Sequence, residues 1–191
     1  VSDCQSILKK SIVERLKQSY DVDWFDEQGA VYQVVFTILR DQVTLMLDTS
    51  GAGLHKRGYR LKSNQAPLRE TVAAALLELS VWHENRPFAD PFCGSGTFPI
   101  EAAMIASRRA PGLHRPFAGE KFSQLDRHLW NQAREEAEDL YLREAAPMIF
   151  GYDIDPDCVA LSLENARRAG VEHMISVSER DVAAFYQPEE Y

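Results

Sequence analysis

Cysteine is scarce in this chain: Cys4, Cys93 and Cys158 stand far apart, with no CxxC and no Cys/His pairing. That spacing excludes a disulfide framework and a structural zinc site, and fits thiols kept reduced in the cytoplasm. The histidines, His55, His83, His114, His128 and His173, show no ligand spacing either, so no metal is expected. No apolar run approaches the ~20 residues of a membrane helix, and no n-region plus h-region opens the chain, so no membrane contact is expected. Base is the minority charge, 21 Lys and Arg against 29 Asp and Glu, for a net charge of −8. A surface that grips phosphates all over is excluded. One stretch runs the other way: "LHKRGYRLK" carries His55, Lys56, Arg57, Arg60 and Lys62 with no acid. It is either a basic patch or a solvated loop. Repeats and low-complexity segments are missing, and "VSDCQSILKK", with no initiator Met, reads as the middle of a longer chain.

What remains is an ordinary globular composition, 45% hydrophobic and 26% charged, with 191 residues for one domain and part of another. Leu8, Ile12 and Leu16 recur every four positions and predict a helix over 6–19. The period then changes. Tyr32, Val34, Phe36 and Ile38 alternate with polar residues, and "VTLML" follows the turn-like "RDQ". A meander of about three strands is expected to end near Asp48, with "DTSGAG" as a boundary loop. From Pro67 a helix is expected with Leu68, Val72, Leu76 and Leu79 on one face. Then come a short strand at "RPFADP", an Ala-rich helix over 97–109, and an inserted helix with Leu125, Leu129, Ala133, Ala137 and Leu140 on its face. The strand "PMIFGYDID", the helix "PDCVALSLENARRAG" and the strand "HMISVSERD" complete the order. Strands alternating with helices imply a parallel α/β sheet, which takes its ligand beyond the carboxyl ends of its strands.

Those ends are "ADPFCGSG", "GYDID" and "SERD", and each carries an acid. Gly94 and Gly96 allow a ligand to lie against backbone N–H groups. Asp153 is placed to accept from vicinal ribose hydroxyls, and Asp181 from an exocyclic amine such as adenine's, although a capping role competes for Asp181. Asp155 is expected to cap the helix after Pro156, and Cys93 to be a small packing residue rather than a nucleophile. The run G-S-G-T-F-P puts Pro99 where a dinucleotide fingerprint has its third glycine, and no Lys follows Gly96 as in a P-loop. Asp90 would repel a pyrophosphate and suits a cationic ligand, such as the ammonium and sulfonium of S-adenosylmethionine.

At this point the chain resembles a known family. "ADPFCGSGTFPIEAAMIA", "APG", "RPFAGEKF" and "GYDIDPDCVALSLENARRAG", with "DCQSILKKSIVERL" and "LDTSGAGLHKRGYRLKSNQAPLRETVAAALL" upstream, are similar to the THUMP-associated RNA guanine-N2 methyltransferases. The likeness is to their bacterial 23S rRNA branch, often labelled N6-adenine-specific DNA methylases. The resemblance implies a Rossmann-like class I methyltransferase fold: residues 51–191 as its cofactor-binding half, and residues 1–50 as the α+β end of a THUMP-containing RNA-binding region. It implies S-adenosylmethionine as cofactor, with Asp90, Gly94 and Gly96 around the methionine moiety and Phe92, Ser95 and Thr97 in the same turn. Asp153 would take the ribose, Ile154 would pack beside adenine, and Asp181 with Val182 would face the adenine amine. "HKRGYR" and "QAPLRE", leading into the helix before the first strand, would help close the cofactor pocket, with Lys56, Arg57 and Arg60 as candidate RNA contacts.

The family holds its target base with an Asn-Pro-Pro-aromatic motif, and no two prolines are adjacent here. The chain is therefore expected to be a fragment, inactive alone, and no catalytic residue is assigned. Three rivals stay open: an adenine-N6 DNA methyltransferase, a non-catalytic RNA-binding module with a vestigial cofactor fold, and an NAD-dependent dehydrogenase.

Overall fold

The computed structural model describes residues 2–26, 28–60, 67–146 and 148–184. The chain divides into two compact units, residues 1–31 and 32–191. In the first, the four-residue recurrence becomes helix α1 (Ser2–Tyr20), none of whose residues is buried. Asp21 turns out of it at φ +52°, the amide of Gln28 donates to Asp26, and Gly29 has φ +125°. Acids that make turns stand where alternating apolar residues would be needed. Among the described residues the expected meander accordingly has two strands rather than three.

Those two lie in the second unit. β1 (Gln33–Leu39) and β2 (Gln42–Asp48) pair antiparallel, from Gln33 opposite Asp48 to Leu39 opposite Gln42. Arg40 and Asp41 form the turn at φ +50° and +60°, the paired left-handed geometry that matches strand twist in a two-residue hairpin. Tyr32 anchors the hairpin, its ring stacked 4.4 Å from that of Phe122 and its hydroxyl donating to Gln124. "DTSGAG" is indeed a loop: the amides of Ser50 and Gly51 both donate to the Asp48 carboxylate.

The remaining strands, β3 (Phe88–Asp90), β4 (Ile149–Asp153) and β5 (Ile175–Glu179), form a parallel sheet in that order. Asp90 lies level with Gly151, and Asp153 with Glu179, so the three strands finish at one end. Helix α2 (Glu70–Leu79) precedes β3, α3 (Thr97–Ala106) and α4 (Arg127–Asp139) follow it, and α5 (Pro156–Ala169) joins β4 to β5. Asp155 caps α5 by accepting from the Asp157 amide, as expected, and Gly170 ends it at φ +70°. Ile100, Ala102 and Ala103 of α3 have no exposed surface. The two alanines bring the helix close to the sheet, and Ile149, Ala166 and Val171 complete the core with Ile100.

Two apolar stripes do not sit where periodicity puts them. In α2 the buried residues are Glu70, Ala73 and Leu77, while Leu68, Val72, Leu76 and Leu79 stay exposed. Ala73 allows close approach to α3, and Glu70 is drawn inward by Arg60. No residue of α4 is buried, and Leu129 and Leu140 are about half exposed. That helix docks instead through Trp130, stacked on Phe117, and Arg134, which donates to the carbonyls of Leu113 and Arg115. In both helices a polar contact from another segment, Arg60 to Glu70 and Arg134 to the carbonyls, helps set the inward face.

Candidate functional site

The turn after β3 is fastened from both sides. The Cys93 amide donates to the Tyr152 carbonyl, and the Gly96 amide to the Cys93 carbonyl, each at 2.8 Å. Gly94 and Gly96 both have positive φ, +54° and +80°, which glycine adopts without strain. Their surroundings differ. A Cβ on Gly96 would lie 2.1 Å from Ser162 Oγ, whereas one on Gly94 would meet nothing within 4 Å. Gly96 therefore lets α3 start hard against α5, and Gly94 keeps a backbone face open. Ser95 and Thr97 are buried. The Ser95 carbonyl accepts from Asn165 Nδ2 at 3.0 Å, and Thr97 Oγ1 accepts from Arg60.

Asp153 ties the strand ends together. Its Oδ2 accepts from the Gly94 amide at 2.8 Å, its Oδ1 from the Asp155 amide at 3.0 Å, and its carbonyl from the Arg180 amide at 2.8 Å. Asp90 accepts from the Phe92 amide, and burial, reinforced by Asp153, lifts its carboxyl above the usual aspartate range. Asp181 is exposed and accepts from the Ala183 amide, capping the turn Val182–Ala184; the capping role is thus real and occupies one oxygen. Phe92, Ile154 and Val182 are 71%, 65% and 43% exposed, one apolar side chain beside each strand end. All the candidate cofactor residues thus gather at the carboxyl edge of the sheet. The combination fits a nucleoside bearing a cationic tail: carboxylates for hydroxyls and ammonium, apolar side chains for a base, and an open backbone face at Gly94. Cys93 takes no part in it. Burial, then Asp90 and Asp153, push its thiol up to about 12, so it stays protonated and packs against Gly151.

The basic stretch is placed differently from a row of phosphate contacts. Arg57 pairs with Glu101 at 3.2 Å, and Tyr59 donates to the same carboxylate. Arg60 faces Glu70 at 3.5 Å and donates to Thr97. Both arginines are turned inward and clamp the 50s segment onto α2 and α3; among the three candidate RNA contacts, only Lys56 is exposed. Burial raises the Glu101 carboxyl even against its Arg57 partner.

Sequence reasoning passed over Glu101, Ser162 and Asn165. The signal was there for the last two. Ser162, Asn165, Ala166 and Ala169 recur at helical spacing on the buried face of α5, and a polar residue on an inward stripe needs a partner.

The family model for the RMKL-like methyltransferase domain matches residues 57–191. A Bacillus subtilis relative named "Putative RNA methyltransferase YpsC" is 48% identical over 97% of this chain, which covers 49% of that protein. A solved Listeria monocytogenes structure, described as a "predicted N6-adenine-specific DNA methylase", is 47% identical with a TM-score of 0.93 over the whole of this chain and half of its own. SMU.472, described as "a putative methyltransferase complexed with SAH", is 38% identical with a TM-score of 0.88, covering 97% of this chain and 49% of its own. The chain spans about half the length of the relatives it matches. With the family match covering the parallel sheet, the glycine turn and all three acidic strand ends, the chain belongs to the RMKL-like methyltransferase domain family.

Proposed function

We propose that the whole protein transfers a methyl group from S-adenosylmethionine to the exocyclic N2 of a guanine in 23S rRNA, and that this chain supplies the cofactor half. The observation that carries the reading is the Asp153 carboxylate held against the Gly94 amide, beside an open backbone face and an acid that suits a cation. The SAH complex of SMU.472 and the RNA methyltransferase name of the Bacillus relative support it.

Asp90 would balance the cofactor's positive tail, Asp153 would accept from the ribose hydroxyls, and Asp181 from the adenine amine, with Phe92, Ile154 and Val182 around the base. When bound, the cofactor supplies an activated methyl group whose sulfur leaves as a neutral thioether, so no acid is needed for the leaving group. The target base would be splayed from its stack to reach the site. Alignment of nitrogen, methyl and sulfur would supply ~7–11 kcal/mol of the barrier reduction. Residues 1–50 would belong to a THUMP-containing RNA-binding region and 51–191 to the methyltransferase domain, working in the cytoplasm.

Calorimetry on this chain with S-adenosylhomocysteine and with NADH tests the cofactor. Homocysteine-analogue binding lost in Asp153→Ala is expected, and NADH binding instead would overturn it. For the whole protein, radiolabelled methyl transfer is offered rRNA and duplex DNA in parallel. Label on adenine in DNA would replace this substrate with that of the Listeria relative's name.

A further inference from the structure

The geometry points to a second ligand site: we infer that a cavity at the amino end of the sheet binds a phosphate group. The cavity measures about 370 Å³; its described lining includes Lys56, Arg57, Arg109, His114, Arg115 and Arg168 and no carboxylate. α3 and α5 begin at the carboxyl ends of the strands and finish here. The ten residues of α3 span ~15 Å, which separates this cavity from Gly94 and Asp153.

Two of its cations are neutralised: Arg57 by Glu101 at 3.2 Å and Arg168 by Glu164 at 2.6 Å. Lys56, Arg109 and Arg115 have no ion pair among the described residues. Arg115 is 7% exposed. Its terminal nitrogens donate to the carbonyls of Ser50, Ala52 and Gly53, and its Nε is buried with no acceptor. Arg109 lies 4.9 Å from the Tyr141 ring centroid and 3.3 Å from His114 Nε2. Carbonyls and rings orient a guanidinium without cancelling its charge, and buried cations are ordinarily paired. In a protein of net charge −8, three cations without an ion pair, around a cavity with no acid among its described lining residues, form a place for an anion. Guanidinium forks and an ammonium together suit a multiply charged phosphate, whose several oxygens can accept from more than one of them. The phosphate is either free or part of an RNA backbone; the second source rests on the proposed function.

The test pairs calorimetry with inorganic phosphate and pyrophosphate against anisotropy with a labelled single-stranded RNA and its uncharged morpholino counterpart. The protein is compared with Lys56→Gln/Arg109→Gln, whose folding is checked by circular dichroism. Anion binding should fall about tenfold or more in the double variant, and the salt dependence of single-stranded RNA binding should lose about 1.4 in log–log slope. RNA displaced by pyrophosphate supports the backbone source. Phosphate binding without RNA binding supports the site with a free anion, and the RNA reading then falls alone. RNA binding that ignores both substitutions, with no phosphate bound, overturns the site and leaves the RNA reading standing. Should Arg109→Gln misfold, the exposed Lys56→Gln carries the same comparison, with a smaller loss expected and no loss overturning the site.

Discussion

The Gly94 amide donates to Asp153 Oδ2 at 2.8 Å across 59 residues of sequence. One hydrogen bond therefore joins the glycine turn after β3 to the acid that ends β4, and both face the same open side of the sheet. A ligand that engages Asp153 meets a carboxylate already oriented by two backbone amides, which cuts the ordering cost of binding.

The two glycines of the turn should separate by readout. Gly96→Ala places a Cβ 2.1 Å from Ser162 Oγ at φ +80° and should cost about 2–3 kcal/mol in urea unfolding. Ser162→Gly in the same chain should recover part of it. Gly94→Ala meets no atom within 4 Å and should cost only ~1 kcal/mol. Its larger effect should be on S-adenosylhomocysteine affinity, measured by calorimetry.

Asp90 should make cofactor affinity pH-dependent in a defined direction. Its carboxyl titrates above the usual aspartate value because it is partly desolvated, with Asp153 nearby. S-adenosylmethionine affinity should therefore weaken as pH falls toward mild acidity, earlier than an ordinary aspartate would titrate. Asp90→Asn should flatten that dependence and reduce affinity about 10–100-fold at neutral pH. The same substitution should stabilise the fold. Between the unfolded and the raised folded pKa the native state binds the extra proton, so ionised Asp90 costs stability above that window. Thermal unfolding at neutral pH reads the sign.

Arg57 and Glu101 should prove inseparable. Glu101→Ala strands the Arg57 guanidinium, 11% exposed, and should cost ~3–5 kcal/mol. Arg57→Met with Glu101→Leu should cost clearly less than either single change. A double-mutant cycle in urea gives the coupling.

On α2 the expected and observed faces make opposite demands. Leu77 is 3% exposed and Leu79 is 84% exposed. Leu77→Ala should cost ~2–5 kcal/mol, and Leu79→Ala should stay within ~0.5 kcal/mol in this chain.

Local chemistry was enough to read much of this protein from its sequence. Strand ends, the glycine turn, the Asp155 cap and the Gly170 stop are written in short-range patterns, because each is settled by the backbone freedom or hydrogen bonding of a few neighbouring residues. The order of strands and helices fixed a parallel sheet, and a parallel sheet brings its carboxyl ends, with Asp90, Asp153 and Asp181, to one edge. Which face of a helix turns inward was decided elsewhere. α2 buries Glu70 because Arg60 waits for it, and α4 docks through Trp130 and Arg134 because carbonyls and a ring lie opposite. The "HKRGYR" arginines looked like surface cations until Glu70 and Glu101 arrived from other helices to bury them. Periodicity counts apolar side chains along one element, whereas a buried ion pair depends on two elements at once. That is why tertiary structure alone divided the basic residues into a clamp on the core and the lining of a cavity.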